Sequence, residues 1–225
     1  MDVSGVAVVI GAGSGIGRES ALLFAERGAR AVVFADQDVA AAEAASEESK
    51  GIATAKSYET LALHVDVRDR QSVKAVITAA KENFSRLDYA INCAGGRSGQ
   101  RSVGPGAIVN IISLSAVLGT AQSATYVASK FAARGIIKCA ALENRASGLR
   151  INEVCPGFTN TPMLQRGIQK QPEIGKVLNK SMPLGRVATP EEIANVVHFL
   201  ASPGASFVNG QSIMVDSGVS VNILT

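Results

Sequence analysis

Val6-Ala7-Val8-Val9-Ile10 runs directly into Gly11-Ala12-Gly13-Ser14-Gly15-Ile16-Gly17, and this junction decides the fold. A short run of β-branched apolar residues without polar alternation reads as a strand buried on both faces. The glycines permit a tight turn and close backbone approach, and a helical pattern runs from Ile16 to Arg27. A strand, a glycine turn and a helix in that order aim the helix N-terminal N–H groups at an anion such as a pyrophosphate. Glycine-rich turns also arise for packing alone, so this signal needs support from the rest of the chain.

Outward from the junction, short apolar runs alternate with longer amphipathic stretches. Ala31 to Ala35, Leu61 to Val65, Leu87 to Ile91, Ala107 to Ile112, Arg150 to Val154 and Ser212 to Val215 complete the strand candidates. Helical patterns run over Val39 to Lys50, Arg70 to Phe84, Thr125 to Asn144 and Pro190 to Leu200. The last opens with Thr189-Pro190-Glu191-Glu192, an N-cap followed by Pro and first-turn acids. This rhythm predicts an α/β fold, a doubly wound parallel sheet of about seven strands covered by helices on both faces. Residues 1–225 read as one domain. The stretch 162–183 has Gly and Pro interruptions within weak helical patterning and is read as a mobile substrate lid.

Composition narrows the function classes. With 47% hydrophobic and 18% charged residues and a mean hydropathy of +0.20, the chain has enough apolar surface to fold and is not a disordered sequence. Aromatics are 4% and Trp is absent, which argues against a base-stacking nucleic-acid surface. The net charge of +3 is mild, and the Lys and Arg residues form no run. Cys93, Cys139 and Cys155 form no CxxC pair and have no neighbouring His ligands, so reduced thiols are expected and no metal site. No apolar stretch approaches the roughly 20 residues that cross a bilayer. These features predict a soluble cytoplasmic protein with no nucleic-acid or membrane partner. His64 and His198 lack partners at ligand spacing and are read as structural, His64 ending a buried strand.

Two further features carry chemistry. Asp36 closes the second strand candidate, where a carboxylate can accept hydrogen bonds from both adenosine ribose hydroxyls and repels a 2′-phosphate. Neither Ser14 nor Gln37 is a cation that would welcome that phosphate, so the pattern predicts NAD over NADP; the alternative is a turn or capping role for Asp36. Tyr126-Val127-Ala128-Ser129-Lys130 puts a phenol and an ammonium on one helical face. A neighbouring cation favours the phenolate and brings an acid/base group towards neutrality, although such pairs also occur as ordinary surface contacts.

The glycine turn, Asn92-Cys93-Ala94-Gly95, Ser113, Tyr126-x-x-x-Lys130 and Pro156-Gly157 together resemble the short-chain dehydrogenase/reductase family, in its order and over almost the full chain. The resemblance implies a Rossmann-like fold in which Ser113 orients the substrate oxygen, Tyr126 is the general acid/base, and Lys130 binds nicotinamide ribose and lowers the tyrosine pKa. It implies cofactor contacts from Gly11, Ser14, Gly15, Ile16, Gly17, Asp36, Asp66, Val67, Asn92, Ala94, Gly95, Tyr126, Lys130, Pro156, Gly157, Thr159 and Thr161. A homodimer or homotetramer follows from the same likeness. Ile10, Cys93 and Ile112 depart from the family pattern, at positions that usually hold Thr, Asn and Ser.

One departure is larger. A parallel crossover normally carries a covering helix, yet Arg97-Ser98-Gly99-Gln100-Arg101-Ser102-Val103-Gly104-Pro105-Gly106 is too rich in Gly for one, so the helix between Gly96 and Ala107 reads as missing. Ser113 follows Asn92 by 21 positions, whereas the resemblance implies roughly 50 between that motif and the serine, so about 30 residues, the size of a helix with its connections, are absent. In the family that helix lies on the sheet, joins the subunit interface and carries an Asn that completes the catalytic group through a water. Each apolar side chain left uncovered costs about 1.5–3 kcal/mol, which favours a sequence that closes over residues of the native protein above a true deletion. The expected activity is NAD-dependent hydride transfer between nicotinamide and a secondary alcohol or ketone by a Ser-Tyr-Lys mechanism. The apolar residues Leu164, Ile168, Ile174, Val177 and Leu178 suggest an apolar substrate. The alternative is a catalytically silent dinucleotide-binding sensor or interaction protein.

Overall fold

A computed structural model describes residues 3–94 and 106–221. Strands β1 (Val6–Ile10), β2 (Ala31–Asp36), β3 (Glu59–His64), β4 (Tyr89–Asn92), β5 (Gly106–Ile111), β6 (Leu149–Pro156) and β7 (Ser212–Val215) form one sheet. Its order is β3-β2-β1-β4-β5-β6-β7, and all neighbouring pairs are parallel. The order reverses between β1 and β4, so the crevice at the carboxyl ends of these strands is where a doubly wound sheet binds its ligand.

The helices are α1 (Gly15–Glu26), α2 (Val39–Ile52), α3 (Arg70–Phe84), α4 (Ala124–Glu143), α5 (Pro162–Lys170), α6 (Pro172–Leu178) and α7 (Pro190–Ala201). Helices α1, α2 and α7 pack on one face of the sheet around Phe24, Phe34, Val9, Val109 and Leu200. On the other face α3 covers Val6, Val8 and Val33, and α4 covers Ile108, Leu149 and Ile151. The expected capping of α7 is present: the Glu192 N–H donates to Thr189 Oγ1 at 3.4 Å, and the Thr189 N–H donates to Glu192 Oε2 at 2.8 Å. This reciprocal pair satisfies two otherwise orphaned helix donors.

Three expectations need correction. β3 begins two residues before the apolar run that suggested it, and as an edge strand it leaves His64 exposed rather than buried. β6 continues through Cys155 and Pro156, because its ladder with β7 extends to Pro156↔Val215. The stretch 162–183 is more regular than its weak pattern suggested: α5 and α6 occupy most of it, followed by a 3₁₀ turn over Asn179–Ser181.

The helix-less connection falls largely on residues 95–105, outside the described residues. β4 and β5 nevertheless pair side by side, with Asn92 facing Asn110, and residues 93–105 are all the chain between them. α4 is sparsely buried. Of its 20 residues only Ala141 is fully buried, against six of 12 in α1, and Phe131, Ile136 and Leu142 stand exposed.

Candidate active site

The turn after β1 is held by glycines for specific reasons. Gly11 has φ +87° and Gly15 has φ +56°, a backbone region that L side chains rarely adopt. A Cβ on Gly17 would stand 1.9 Å from the Gly11 carbonyl oxygen, so α1 can start beneath the turn only without a side chain there. Ser14 is the N-cap of α1 but makes no side-chain cap bond, and Ile16 packs against the core on the α1 side. The turn comes close to the end of β4, since a Cβ on Gly11 would lie 3.2 Å from the Ala94 nitrogen.

Asp36 ends β2 beside this turn. Its Oδ2 accepts the Gly13 N–H at 2.8 Å and its Oδ1 accepts the Asp38 N–H at 3.0 Å. A side chain on Gly13 would meet the Asp36 carboxyl at 3.0 Å, so the bare backbone keeps a narrow cradle against the carboxylate. These features fit an adenosine ribose beside Asp36 and a pyrophosphate over the turn. Asp66 behaves differently: Arg68 grips its carboxylate at 2.9 and 2.7 Å and holds it down to about 2. Val67 packs beside the α3 side of the core.

Asn92 is buried at the end of β4 and its Nδ2 donates to Asn110 Oδ1 at 3.4 Å. Ala94 is half-buried in the crevice, whereas Gly95 lies outside the described residues. Beyond β6, the Gly157 N–H donates to the Val215 carbonyl at 2.9 Å, and a Cβ on Gly157 would come within 3.0 Å of Asp216 Cα. Pro156 is buried, and buried Thr159 donates its hydroxyl to the Gly157 carbonyl at 3.2 Å. Thr161 caps α5 by accepting the Leu164 N–H at 3.3 Å, and its methyl group is 3.2 Å from where a Gly15 Cβ would sit. The segment after β6 therefore folds back onto the glycine turn.

Ser113 follows β5, and its Oγ accepts the Ser115 N–H at 3.1 Å, which opens a 3₁₀ turn over Leu114–Ala116. That turn packs against α4. Tyr126 and Lys130 share the first turns of α4, with Lys130 Nζ 5.3 Å from the Tyr126 ring centroid. The tyrosine is 47% exposed. In the segment that follows β6, Met163 is 73% and Leu184 71% exposed, and Phe158 and Val177 are exposed as well. The Leu184 N–H is tied to Ser217 Oγ at 2.8 Å.

Glu153 and its partners Arg134 and Ser212 were not singled out from the sequence, whereas Cys155 was, as a reduced thiol. Glu153, on β6, is 1% exposed and meets Ser212 and Arg134. Burial pushes its carboxyl above the usual range. Cys155 is buried next to it, its thiol hydrogen-bonded by the Ser113 main chain and pushed up to about 11 by burial. The available signal was a carboxylate inside a strand candidate, between Ile151-Asn152 and Val154. Among the described residues no group of three His, Cys, Asp or Glu side chains could hold a metal, and no helix is long and apolar enough to cross a membrane.

Comparison with known proteins agrees with this architecture. A family model described as short chain dehydrogenase matches residues 5–103, and one described as enoyl-(acyl carrier protein) reductase matches residues 97–220. The chain is 35% identical over 275 residues to the short-chain dehydrogenase anuF of Penicillium roqueforti, covering 100% of this chain and 99% of that protein. Set against the 225 residues here, those 275 aligned positions leave at least 50 without a counterpart in this chain. A cyclohexanol dehydrogenase of Acinetobacter is 33% identical, over 94% of this chain and 93% of its own length. The structure of 7α-hydroxysteroid dehydrogenase complexed with NADH and 7-oxo glycochenodeoxycholic acid matches with a TM-score of 0.85 and 27% identity, over 96% of this chain and 94% of that one. Similar solved structures include an NADPH complex as well as this NADH complex. Family models spanning both halves, relatives matched along nearly their whole length and a shared parallel sheet lead to one conclusion: this chain belongs to the short-chain dehydrogenase/reductase family of oxidoreductases.

Proposed function

We propose that the protein is an NAD-dependent oxidoreductase that transfers hydride between nicotinamide and a small apolar secondary alcohol or ketone. What supports this reading is topology: the side-chain-free glycine turn with the Asp36 carboxylate against it follows the carboxyl ends of β1 and β2, and the Tyr126–Lys130 pair opens the helix that follows the carboxyl end of the parallel strand β5. Nicotinamide, when bound, supplies or accepts the hydride. Gly11, Ser14, Gly15, Ile16 and Gly17 would hold the pyrophosphate at the start of α1, and Asp36 the adenosine ribose. Asp66, Val67, Asn92, Ala94 and Gly95 would line the adenine and ribose side, and Pro156, Gly157, Thr159 and Thr161 the nicotinamide side.

In the oxidation direction Tyr126 takes the proton from the substrate hydroxyl, and in reduction it returns it. Lys130 favours the phenolate by its charge, and Ser113 donates a hydrogen bond to the substrate oxygen. The exposed Met163, Leu184 and Phe158 favour an apolar substrate, and the stretch 162–183 would act as its lid. The exposed apolar side of α4 is in keeping with a homodimer or homotetramer, and a cytoplasmic location fits the unpaired thiols.

The test is Tyr126→Phe assayed with NAD⁺ and cyclohexanol, 2,3-butanediol and a 7α-hydroxysteroid. Turnover should fall at least about 100-fold while NADH binding stays within about threefold. Turnover retained by the variant refutes the assignment. The 50 unmatched positions favour a second reading, a silent dinucleotide-binding protein. It predicts NADH binding with no turnover on any of these substrates, and Tyr126-dependent turnover removes it.

A further inference from the structure

Arg134 stands one helical turn beyond Lys130 and two beyond Tyr126, and it reaches three other elements at once. Its Nη1 donates to the Ala116 carbonyl at 3.3 Å, in the turn that follows Ser113. Its Nε donates to Ser212 Oγ on β7 at 3.2 Å and lies 3.6 Å from Glu153 Oε1 on β6. Ser212 in turn donates its hydroxyl to the same Glu153 oxygen. Glu153 is 1% exposed, and its second oxygen, Oε2, has no hydrogen-bond partner.

A buried carboxylate beside a guanidinium is a poor way to gain stability, because desolvation opposes the attraction between them. Replacing both by apolar residues of similar size is often harmless in such cases, so what the pair contributes here is geometry. The planar guanidinium fork fixes direction, and it spans the two segments whose relative position matters most for acid/base chemistry. One is the Ser113 turn, anchored through Ala116. The other is α4, which carries Tyr126 and Lys130 on the same helix as Arg134.

We propose that Arg134 and Glu153 are positioning residues: together with Ser212 they form a partly buried strut that holds the Ser113 turn in register with the Tyr126–Lys130 helix. The strut touches neither substrate nor cofactor. α4 also packs on the turn through apolar contacts, Ala133 and Ile137 against Ala116, and the Arg134 fork adds fixed direction to that packing. The inference rests on the roles proposed above for Ser113, Tyr126 and Lys130, but its structural half can be read without any turnover.

The experiment uses the full chain and two variants, Arg134→Met, which keeps much of the side-chain length without the donors, and Arg134→Lys, which restores the charge. Hydrogen exchange is followed at the amides of Ser115, Ala116, Val117 and Leu118, all of which are hydrogen-bonded within the turn. Arg134→Met should speed exchange at these amides at least tenfold, with β1 and β2 unchanged. Arg134→Lys should recover part of the protection. With NAD⁺ and cyclohexanol, Arg134→Met should lower kcat at least tenfold at nearly constant KM for NAD⁺. Glu153→Gln, which preserves size, should reproduce the kcat effect in milder form. Unchanged exchange at 115–118, or acceleration spread evenly over the sheet, overturns the strut whatever the turnover does. Local acceleration with kcat unchanged overturns its link to catalysis. Turnover surviving in Tyr126→Phe instead overturns the catalytic reading and leaves the exchange result to decide the strut alone.

Discussion

Replacement of Asp36 by Ala is the most direct test of how this chain reads its cofactor. Each carboxylate oxygen has two lone pairs, and one on each is occupied: Oδ2 accepts the Gly13 N–H at 2.8 Å and Oδ1 the Asp38 N–H at 3.0 Å. One acceptor position per oxygen remains, which matches the two hydroxyls of an adenosine ribose. A hydrogen bond to a charged group contributes about 1.5–3 kcal/mol, and in this partly exposed position two of them should sum to about 2–3 kcal/mol at the low end. Asp36→Ala should therefore weaken NADH binding by about 30- to 150-fold. It should weaken NADPH binding much less, because the variant also removes a like charge from the 2′-phosphate. The assay is fluorescence titration of both reduced dinucleotides against both proteins, with thermal unfolding to confirm that the loss of the Gly13 contact leaves the fold intact. Two results would refute the reasoning: an NADH affinity within threefold of wild type, or a wild-type protein that binds NADPH as tightly as NADH.

Gly17→Ala should be far more damaging than an ordinary helix substitution, because the new Cβ would stand 1.9 Å from the Gly11 oxygen and the backbone must move. A loss above about 3 kcal/mol is expected from such overpacking, equivalent to roughly 6–12 °C in Tm, together with loss of NADH binding. A Tm within 2 °C of wild type, by the size scaling that gives roughly 2–4 °C per kcal/mol, would show that the turn yields more easily than the geometry indicates. Stability should also fall at alkaline pH. Burial holds the Cys93 and Cys155 thiols up to about 12 and about 11, so both keep their protons in the folded state where the unfolded chain ionises. Their contribution is complete below about pH 8.5 and is lost as pH rises towards the folded values, by about 1.4 kcal/mol per pH unit for each thiol. Urea unfolding at pH 8 and pH 10 should show this decline, and Cys93→Ala with Cys155→Ala should flatten it; the same slope in that double variant would remove the thiols as its cause.

The parts of the fold that were legible in the sequence are those whose ends are set locally. β1 at Val6–Ile10, α3 at Arg70–Phe84 and β7 at Ser212–Val215 begin and end where the pattern placed them. For α3 the reason is visible: Asp69 Oδ1 accepts the Gln71 N–H at 2.9 Å, and Ser85 closes the helix with φ +62°. β3 was misplaced because its start is set by its partner. The Glu59 N–H donates to the Arg30 carbonyl at 3.0 Å, and the ladder runs from Ala31↔Glu59, so pairing begins at a charged residue before the apolar run. The Tyr126 and Lys130 pair was legible because both lie on one helix at a fixed spacing. Arg134, Glu153 and Ser212 were not, since they meet only when α4, β6 and β7 are assembled.

The sheet register gives that meeting place a wider meaning. Ala90, Ile108 and Ile151 stand side by side on β4, β5 and β6, an apolar rung under α4. One pleat further along, on the same face, the rung becomes Asn92, Asn110, Glu153 and Ser212. A row of four polar side chains across the centre of a parallel sheet is costly unless they bond to one another, which Asn92 does with Asn110 and Ser212 does with Glu153. The change from apolar to polar within one pleat marks the level at which the core ends and the crevice begins. That level lies at the carboxyl end of β4. Under the strut proposal, Arg134 is what α4 contributes to this polar rung, so the helix that carries the proton-transfer pair also secures the floor on which the pair works.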